Sequence, residues 1–293
     1  MEGRLLNRIG RKIRKGWRAI TRSPKATIGF FMILLLVLVA LFAPVIATYE
    51  VDEMNTGPVF SKPIAGHPMG TDHYGRDVFS RIIMGTRVSL RVAVFVTLLS
   101  VLIGVPLGLM AGYRDNLGSS LIMRTVDVLL CFPWVMVALC VAALIGGGEK
   151  VILISLVIAY VPTFIRLMQG VVLSVREQEY VGAALVTGES QASIIGRYIL
   201  PNCTAPLIVE ATLVMSFVIL DEAAISYLGV GIQPPTPSWG VMLNEGSVYM
   251  WNAPYLSIFP GVAIAYTVLG INLFGDGLRD ILDPRFMGGL KEV

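Results

Sequence analysis

Residues 28–49 read IGFFMILLLVLVALFAPVIATY, without a charged side chain from end to end. A helix rises about 1.5 Å per residue, so a run of this length crosses the roughly 30 Å hydrocarbon core of a bilayer. In lipid, the backbone of such a run must satisfy its own hydrogen bonds, and a single segment does so only as a helix. The basic flank before it is reminiscent of a secretory leader. The apolar stretch is longer than a leader's hydrophobic region, however, and more such runs come after it, so the reading is an uncleaved first membrane helix.

Working outward, residues 92–113 and 128–148 are uncharged, and 151–174 carry only Arg166. The fifth run is read at 198–220, continuing past Asp221 and Glu222 to about Leu228, and the sixth at 254–275. Prolines at 106, 133, 162, 206 and 260 fall in or near these runs, where neighbouring helices can satisfy the freed carbonyls. The chain is 55% hydrophobic and 15% charged, with a mean hydropathy of +0.73. A water-soluble domain carries about one quarter charged residues. The fold class expected is all-α and polytopic, with six transmembrane helices.

Lys and Arg set the orientation. Nine of the 23 lie between Arg4 and Lys25. With the N-terminus cytoplasmic, the inner segments hold 17 of them and the outer segments six, which places both termini in the cytoplasm. The organisation expected is a cytoplasmic basic amphipathic segment at 1–27, a first transmembrane helix at 28–49 and an extracytoplasmic loop at 50–86. A five-helix core comes next at 87–281 with a cytoplasmic loop at 175–200, then a tail at 282–293. Leu5, Leu6, Ile9, Ile13, Trp17 and Ile20 recur at near-helical spacing among the basic residues. That pattern suits an interfacial helix against anionic lipid, or a basic tail that only fixes topology; nucleic acid is not the expected partner.

Chemistry-bearing motifs are few. There is no G-x-x-x-x-G-K-[ST] loop to cradle ATP phosphates, no H-E-x-x-H and no G-x-S-x-G. The two histidines, His67 and His73, share one loop without further ligands nearby, so neither a metal nor a cofactor is expected in this chain. Cys131, Cys140 and Cys203 fit no zinc or redox spacing and read as small packing residues.

The loop between the fourth and fifth runs is the most informative. It reads Glu179-Tyr180-Val181-Gly182-Ala183-Ala184-Leu185-Val186-Thr187-Gly188, and it closes with Leu200-Pro201-Asn202. Small residues at 182, 183, 184 and 188 let a short helix approach another surface closely, and Pro201 sets a helix start. Docking into a partner and a plain amphipathic connector both fit this pattern. Asp221 and Glu222 are read either as contacts of a translocation path or gate, or as an interfacial pair capped by loop backbone. Arg124 and Asp127 are spaced for a salt bridge along one helix face. Gly75-Arg76-Asp77 and Arg81 either meet a delivery protein or pin an interfacial helix.

The 179–201 segment resembles the "EAA" coupling loop of ABC importer permeases. The chain as a whole resembles the C-type permease subunit of dipeptide, oligopeptide and nickel importers. The matching stretches are 70–81, from Gly70-Thr71-Asp72 to Ser80-Arg81, and 122–129, Ile122-Met123-Arg124-Thr125-Val126-Asp127-Val128-Leu129. Two more are 227–240, from Tyr227-Leu228-Gly229 to Trp239-Gly240, and 272–284, from Asn272-Leu273-Phe274 to Asp283-Pro284. The resemblance implies a type I importer core in a prokaryotic inner membrane. It implies a homologous second permease subunit, two ATPase subunits that hold ATP and magnesium, and an extracytoplasmic solute-binding protein. Glu179, Tyr180, Gly182, Ala183, Ala184, Gly188, Leu200 and Pro201 would form the ATPase-coupling surface. Gly182 stands where the family usually has an acid; Glu177 or Glu179 can supply the charge, or shape suffices. Peptides are the solute implied, with nickel complexes, glutathione or opine-like compounds as alternatives. Outside the family, a self-sufficient channel or ion-coupled carrier would work without ATP, and a membrane-embedded hydrolase would need a nucleophile and base at depth.

Overall fold

A computed structural model describes residues 20, 21 and 23–282. The amphipathic segment expected before residue 20 and the tail expected after residue 282 lie outside the described residues. Among the described residues every regular element is helical, apart from two isolated bridges within the 64–77 loop. Helix α1 is Pro24–Ile46, α2 Val78–Tyr113, α3 Leu117–Leu130, α4 Trp134–Ile145 and α5 Glu149–Arg176. Helix α6 is Glu179–Val186, α7 Gln191–Ile194, α8 Leu200–Tyr227, α9 Trp239–Ser247 and α10 Tyr255–Leu282. A π-turn at Ile195–Ile199 joins α7 to α8 without a break, so that Gln191–Tyr227 runs as one span. Among the described residues five helices are long and apolar enough to cross a membrane, and the bent pair α3–α4, counted as one span, brings the number to six.

Helix starts follow local chemistry. Ser23 caps α1 by accepting from the Ala26 N–H, and Asp77 caps α2 by accepting from the Ser80 N–H at 2.8 Å. The Asp77 cap moves the second helix to residue 78, where hydropathy suggested 92, and shortens the expected 50–86 loop to residue 77. At 36 residues α2 is about 54 Å long, well beyond the hydrocarbon core, so its first turns carry Arg81, Arg87 and Arg91. The third run is not one straight span. The chain breaks at 131–133, near the start of that run, and α3 and α4 meet there at 91°, because Pro133 has no N–H to donate and biases Phe132 away from helical backbone.

The bundle is built on small residues. Gly104, Gly108 and Gly112 of α2 face Phe164, Met168 and Val172 of α5, advancing four residues on each helix, so the two run parallel. A Cβ at 104 or 108 would stand 2.5 Å from the opposite Cβ. This is the small-xxx-small packing that lets membrane helices gain dispersion contacts without help from water. Helix α1 lies antiparallel on α10, with Gly29 against Phe274 and Gly277 against Ala26. The opposite face of α1, including Phe31, Leu35, Leu41, Phe42 and Val45, is exposed and apolar, as a lipid-facing surface must be. The main core joins α2, α5, α8 and α10 through Val96, Leu156, Phe164, Val218, Ile219 and Ile271. Of the three cysteines only Cys203 packs inside; Cys131 and Cys140 are exposed, so the packing role expected of them does not hold within this chain.

At one end of the bundle the 47–77 loop and the 228–254 segment interlock. Glu245 of α9 accepts from Arg76 Nη2 at 3.1 Å and from Arg81 Nη2 at 2.9 Å. Asp72 holds the Arg76 Nε at 2.5 Å and accepts from the Tyr74 and Arg76 N–H groups. His67 Nδ1 lies 2.9 Å from Asp77, and Trp239 Nε1 donates to the Ile82 carbonyl. Arg76 and Arg81 therefore face inward and fasten this loop end.

Candidate functional site

At the opposite end, α6 stands clear of the bundle on an apolar footing. Val181 and Ala184 are buried against Met168 and Val172 of α5, Ile194, Ile199 and Cys203. These contacts recur every three to four residues, as one helix face requires. The other face is open: Tyr180, Leu185 and Val186 are 44, 54 and 89% exposed. Glu179, Gly182 and Ala183 are exposed beside them. A Cβ on Gly182 would meet nothing within 4 Å, so no steric demand requires glycine at this position.

The end of α6 is built to be rigid. The Gly188 N–H donates to Leu185 O and the Glu189 N–H to Ala184 O, both at 3.1 Å. Gly188 adopts φ +81°, which completes a Schellman cap that a side-chain-bearing residue would strain. Glu189 then ties this cap to α7 and the π-turn, accepting from the Ser193 hydroxyl at 2.6 Å and the Tyr198 hydroxyl at 2.8 Å. The Ser193 bond, then that from Tyr198, holds the Glu189 carboxyl below the ordinary value. Asn202 donates to the Tyr198 carbonyl at 2.6 Å, and Leu200 and Pro201 remain exposed where α8 begins. Of the eight coupling residues named from sequence, seven share this exposed end and Ala184 lies beneath it.

The charges of the spans are distributed differently from expectation. Asp221 is 8% exposed and accepts from the Tyr160 hydroxyl of α5 at 2.5 Å. Glu222 has no exposed surface, and accepts from Ser89 of α2 at 2.9 Å and Ser226 at 3.0 Å. Side-chain hydroxyls from three helices, rather than loop backbone, thus hold the pair. Asp127 does not pair with Arg124. It pairs with Arg166 of α5, because α3 packs against α5 and a rigid cross-helix partner is nearer than an i−3 neighbour. Both members of that pair are more than half exposed at membrane depth, where bare lipid would be a costly neighbour.

One carboxylate escaped the sequence reading. Glu210 sits inside the run taken as the fifth span, and it lines a cavity of about 400 Å³ together with Leu167, Pro206, Val209, Leu213 and Arg279. Its signal was a lone acid between Pro206 and Leu220, overlooked because the run was judged by its average hydropathy.

Comparison with known proteins agrees with this architecture. Residues 104–288, more than half the chain, match the family described as binding-protein-dependent transport system inner membrane component. Residues 13–63 match the N-terminal TM domain of oligopeptide transport permease C. The dipeptide transport system permease protein of Alkalihalophilus pseudofirmus is 40% identical over 272 residues, covering 93% of this chain and 90% of that protein. The glutathione transport system permease protein of Pectobacterium atrosepticum is 39% identical over 278 residues, covering 93% and 91%. Among solved structures, a chain of the inward-facing MetNI methionine ABC transporter superposes with a TM-score of 0.59 at 15% identity. That match covers 69% of this chain and 97% of the other, and establishes the shared fold. A helical bundle with a projecting, small-faced helix, matched along nearly its whole length by importer permeases, leaves one assignment: the chain belongs to the binding-protein-dependent inner-membrane permease family, in its dipeptide and oligopeptide branch, as a non-catalytic subunit of an ATP-driven importer.

Proposed function

We propose that this chain forms half of a path for small peptides or chemically related solutes, and that α6 docks into a cytoplasmic ATPase chain. The names of its relatives, dipeptide and glutathione permeases among them, support that solute class. The observation that carries the docking reading is the two-sided character of α6, with Leu185 and Val186 exposed above a buried Val181–Ala184 footing. An exposed apolar helix face outside the bilayer suits a protein cleft. The excess of Lys and Arg around it supports a cytoplasmic position for that end, together with both termini. The fastened loop end then faces outward to a solute-binding protein, and a homologous second permease and a second ATPase complete the assembly.

The footing also supplies the mechanism. Val181 and Ala184 rest on α5 and on Cys203 of α8, so a displacement of α6 by closing ATPases is passed to both helices. Those helices carry Arg166, Glu210 and Asp221 into the membrane. At the outer end the Tyr160–Asp221 and Ser89–Glu222 bonds act as gate latches between α8 and its neighbours α5 and α2. ATP and magnesium remain on the partner chains, and this chain converts their closure into helix movement.

The test is gentle detergent purification through a tag on this chain, with ATPase activity measured on the eluate. Recovery of a second permease and ATPase chains, lost in the L185D/V186D double variant, is the expected result. A chain that emerges alone from several detergents, or retains its ATPases despite that variant, sinks the docking reading.

A further inference from the structure

We propose that the cavity between α5, α8 and α10 is a zwitterion site on the solute path, where Glu210 takes an ammonium group and Arg279 a carboxylate. The inference rests on the importer reading above and specifies the chemistry of the solute at one point of the path. Glu210 and Arg279 line the same cavity of about 400 Å³. Among the described residues neither makes a side-chain hydrogen bond or ion pair, with each other or with any other group. Asp127, Asp221 and Glu222 are all partnered, and Asp276, the other unpaired acid of the spans, is exposed near the end of α10, so Glu210 is the half-buried acid left without a partner among them.

Position sharpens the argument. Glu210 lies ten residues into α8 from Leu200, about 15 Å along the helix, whereas Arg279 lies within one turn of the end of α10 at Leu282. A carboxylate at that depth needs water, a cation or both to remain ionised. Opposite charges that share a cavity without neutralising each other present separated poles. A small zwitterion fits them with its ammonium inward and its carboxylate toward the mouth. The volume is within the range that holds small ligands, about 300–1,000 Å³. The remaining wall, with Leu167, Val209, Leu213 and Leu282, offers apolar surface without further fixed polarity. Such a wall accepts side chains of different shape, as a path for varied peptides requires. Hydrocarbon tails would leave the carboxylate unmet, and a basic side chain of the second permease would fill the site permanently; both are outcomes the experiment separates.

The experiment uses the assembled complex, with Cys131, Cys140 and Cys203 replaced by alanine and one cysteine introduced as L213C or L282C. Each probe residue sits three positions beyond a charged one on its helix. Cationic and anionic methanethiosulfonate reagents of similar size are compared for modification rate. The expected result is a preference of about tenfold for the cationic reagent at 213, abolished by E210Q, and the opposite preference at 282, abolished by R279Q. Millimolar glycylglycine should slow modification at 213 several-fold, while N-acetylglycylglycine should not. Two inaccessible thiols mean that lipid or the second subunit fills the cavity, which overturns the proposal. Access without charge preference, or charge preference without discrimination between the two dipeptides, overturns the zwitterion assignment. Co-purification of the ATPase chains is scored separately, so failure of the importer reading is visible on its own.

Discussion

Gly108 of α2 lies so close to Met168 of α5 that a Cβ at position 108 would stand 2.5 Å from the Met168 Cβ and 2.7 Å from the Ile165 carbonyl oxygen. Both atoms belong to rigid parts of α5, so an alanine there can be accommodated only by separating the helices. Overpacking of this kind costs roughly 1–3 kcal/mol, and G108L should prevent assembly of the α2–α5 pair. Thermal unfolding in detergent should show a clear loss for G108A. The control is G170A on α5, where a Cβ meets nothing within 4 Å and better helix propensity should stabilise by up to about 1 kcal/mol. Equal melting temperatures for the two variants would remove the packing argument.

Gly182 and Ala184 separate docking from folding. A side chain at 182 projects into open space, so G182A should stiffen α6, and G182E should introduce an acid without strain. Ala184 is 5% exposed above Met168 and Cys203, and A184L must displace α6 from its footing. The outcome expected is undiminished stability for both Gly182 variants, slightly raised in G182A, with equal or tighter ATPase retention. A184L should lower stability and retention together. Retention measured against melting temperature for the three variants is the check, and loss of stability in G182E would contradict the open face.

How much of this was legible in the sequence depends on what physical effect set each feature. The apolar runs were readable because lipid enforces long apolar helices, and the short exposed helix α6 was readable because Gly182, Ala183 and Ala184 stand together in a loop between two such runs. The start of α2 was misplaced by 14 residues, since the Asp77 cap, not hydropathy, decides it. The α3–α4 break at Pro133 was hidden because membrane helices often tolerate proline. The Asp127–Arg166 pair depends on packing of α3 against α5, which local spacing cannot reveal. Glu210 was missed because one acid hardly alters the average of a long apolar run.

Glu245 is the shared acceptor of two nearly buried guanidinium groups, Arg76 at 4% and Arg81 at 2% side-chain exposure. Removing it leaves Arg81 with only the Val51 carbonyl, whereas Arg76 keeps Asp72. Breaking a buried pair from one side costs about 3–5 kcal/mol, so E245A should sharply destabilise the loop end. The expected signature is faster proteolysis within 47–77 and a lower melting temperature. The R81M/E245L double variant should recover part of that loss, because no unpaired charge remains at Arg81. A double variant worse than the sum of its parts would show that Arg81 has a further role.

His73, in the same fastened end, gives that region a pH dependence of definite sign. Its ring packs at 4.0 Å from Tyr74 and 5.1 Å from Tyr249, measured between centroids. Burial lowers its pKa from the ordinary value near 6.5; Asp72 and Glu245 oppose that shift, and Arg76 and Arg81 add to it. The folded chain therefore binds this proton less readily than the unfolded chain does. Above about pH 6.5 both forms are neutral and stability is full; below it the unfolded form is protonated first and stability falls. Between pH 7.5 and 5.5 the wild-type melting temperature should drop more than that of H73Q, and protection of residues 67–77 from hydrogen exchange should decline with it. An acid-induced loss of the same size in H73Q would assign the effect to another group and leave His73 with a packing role alone.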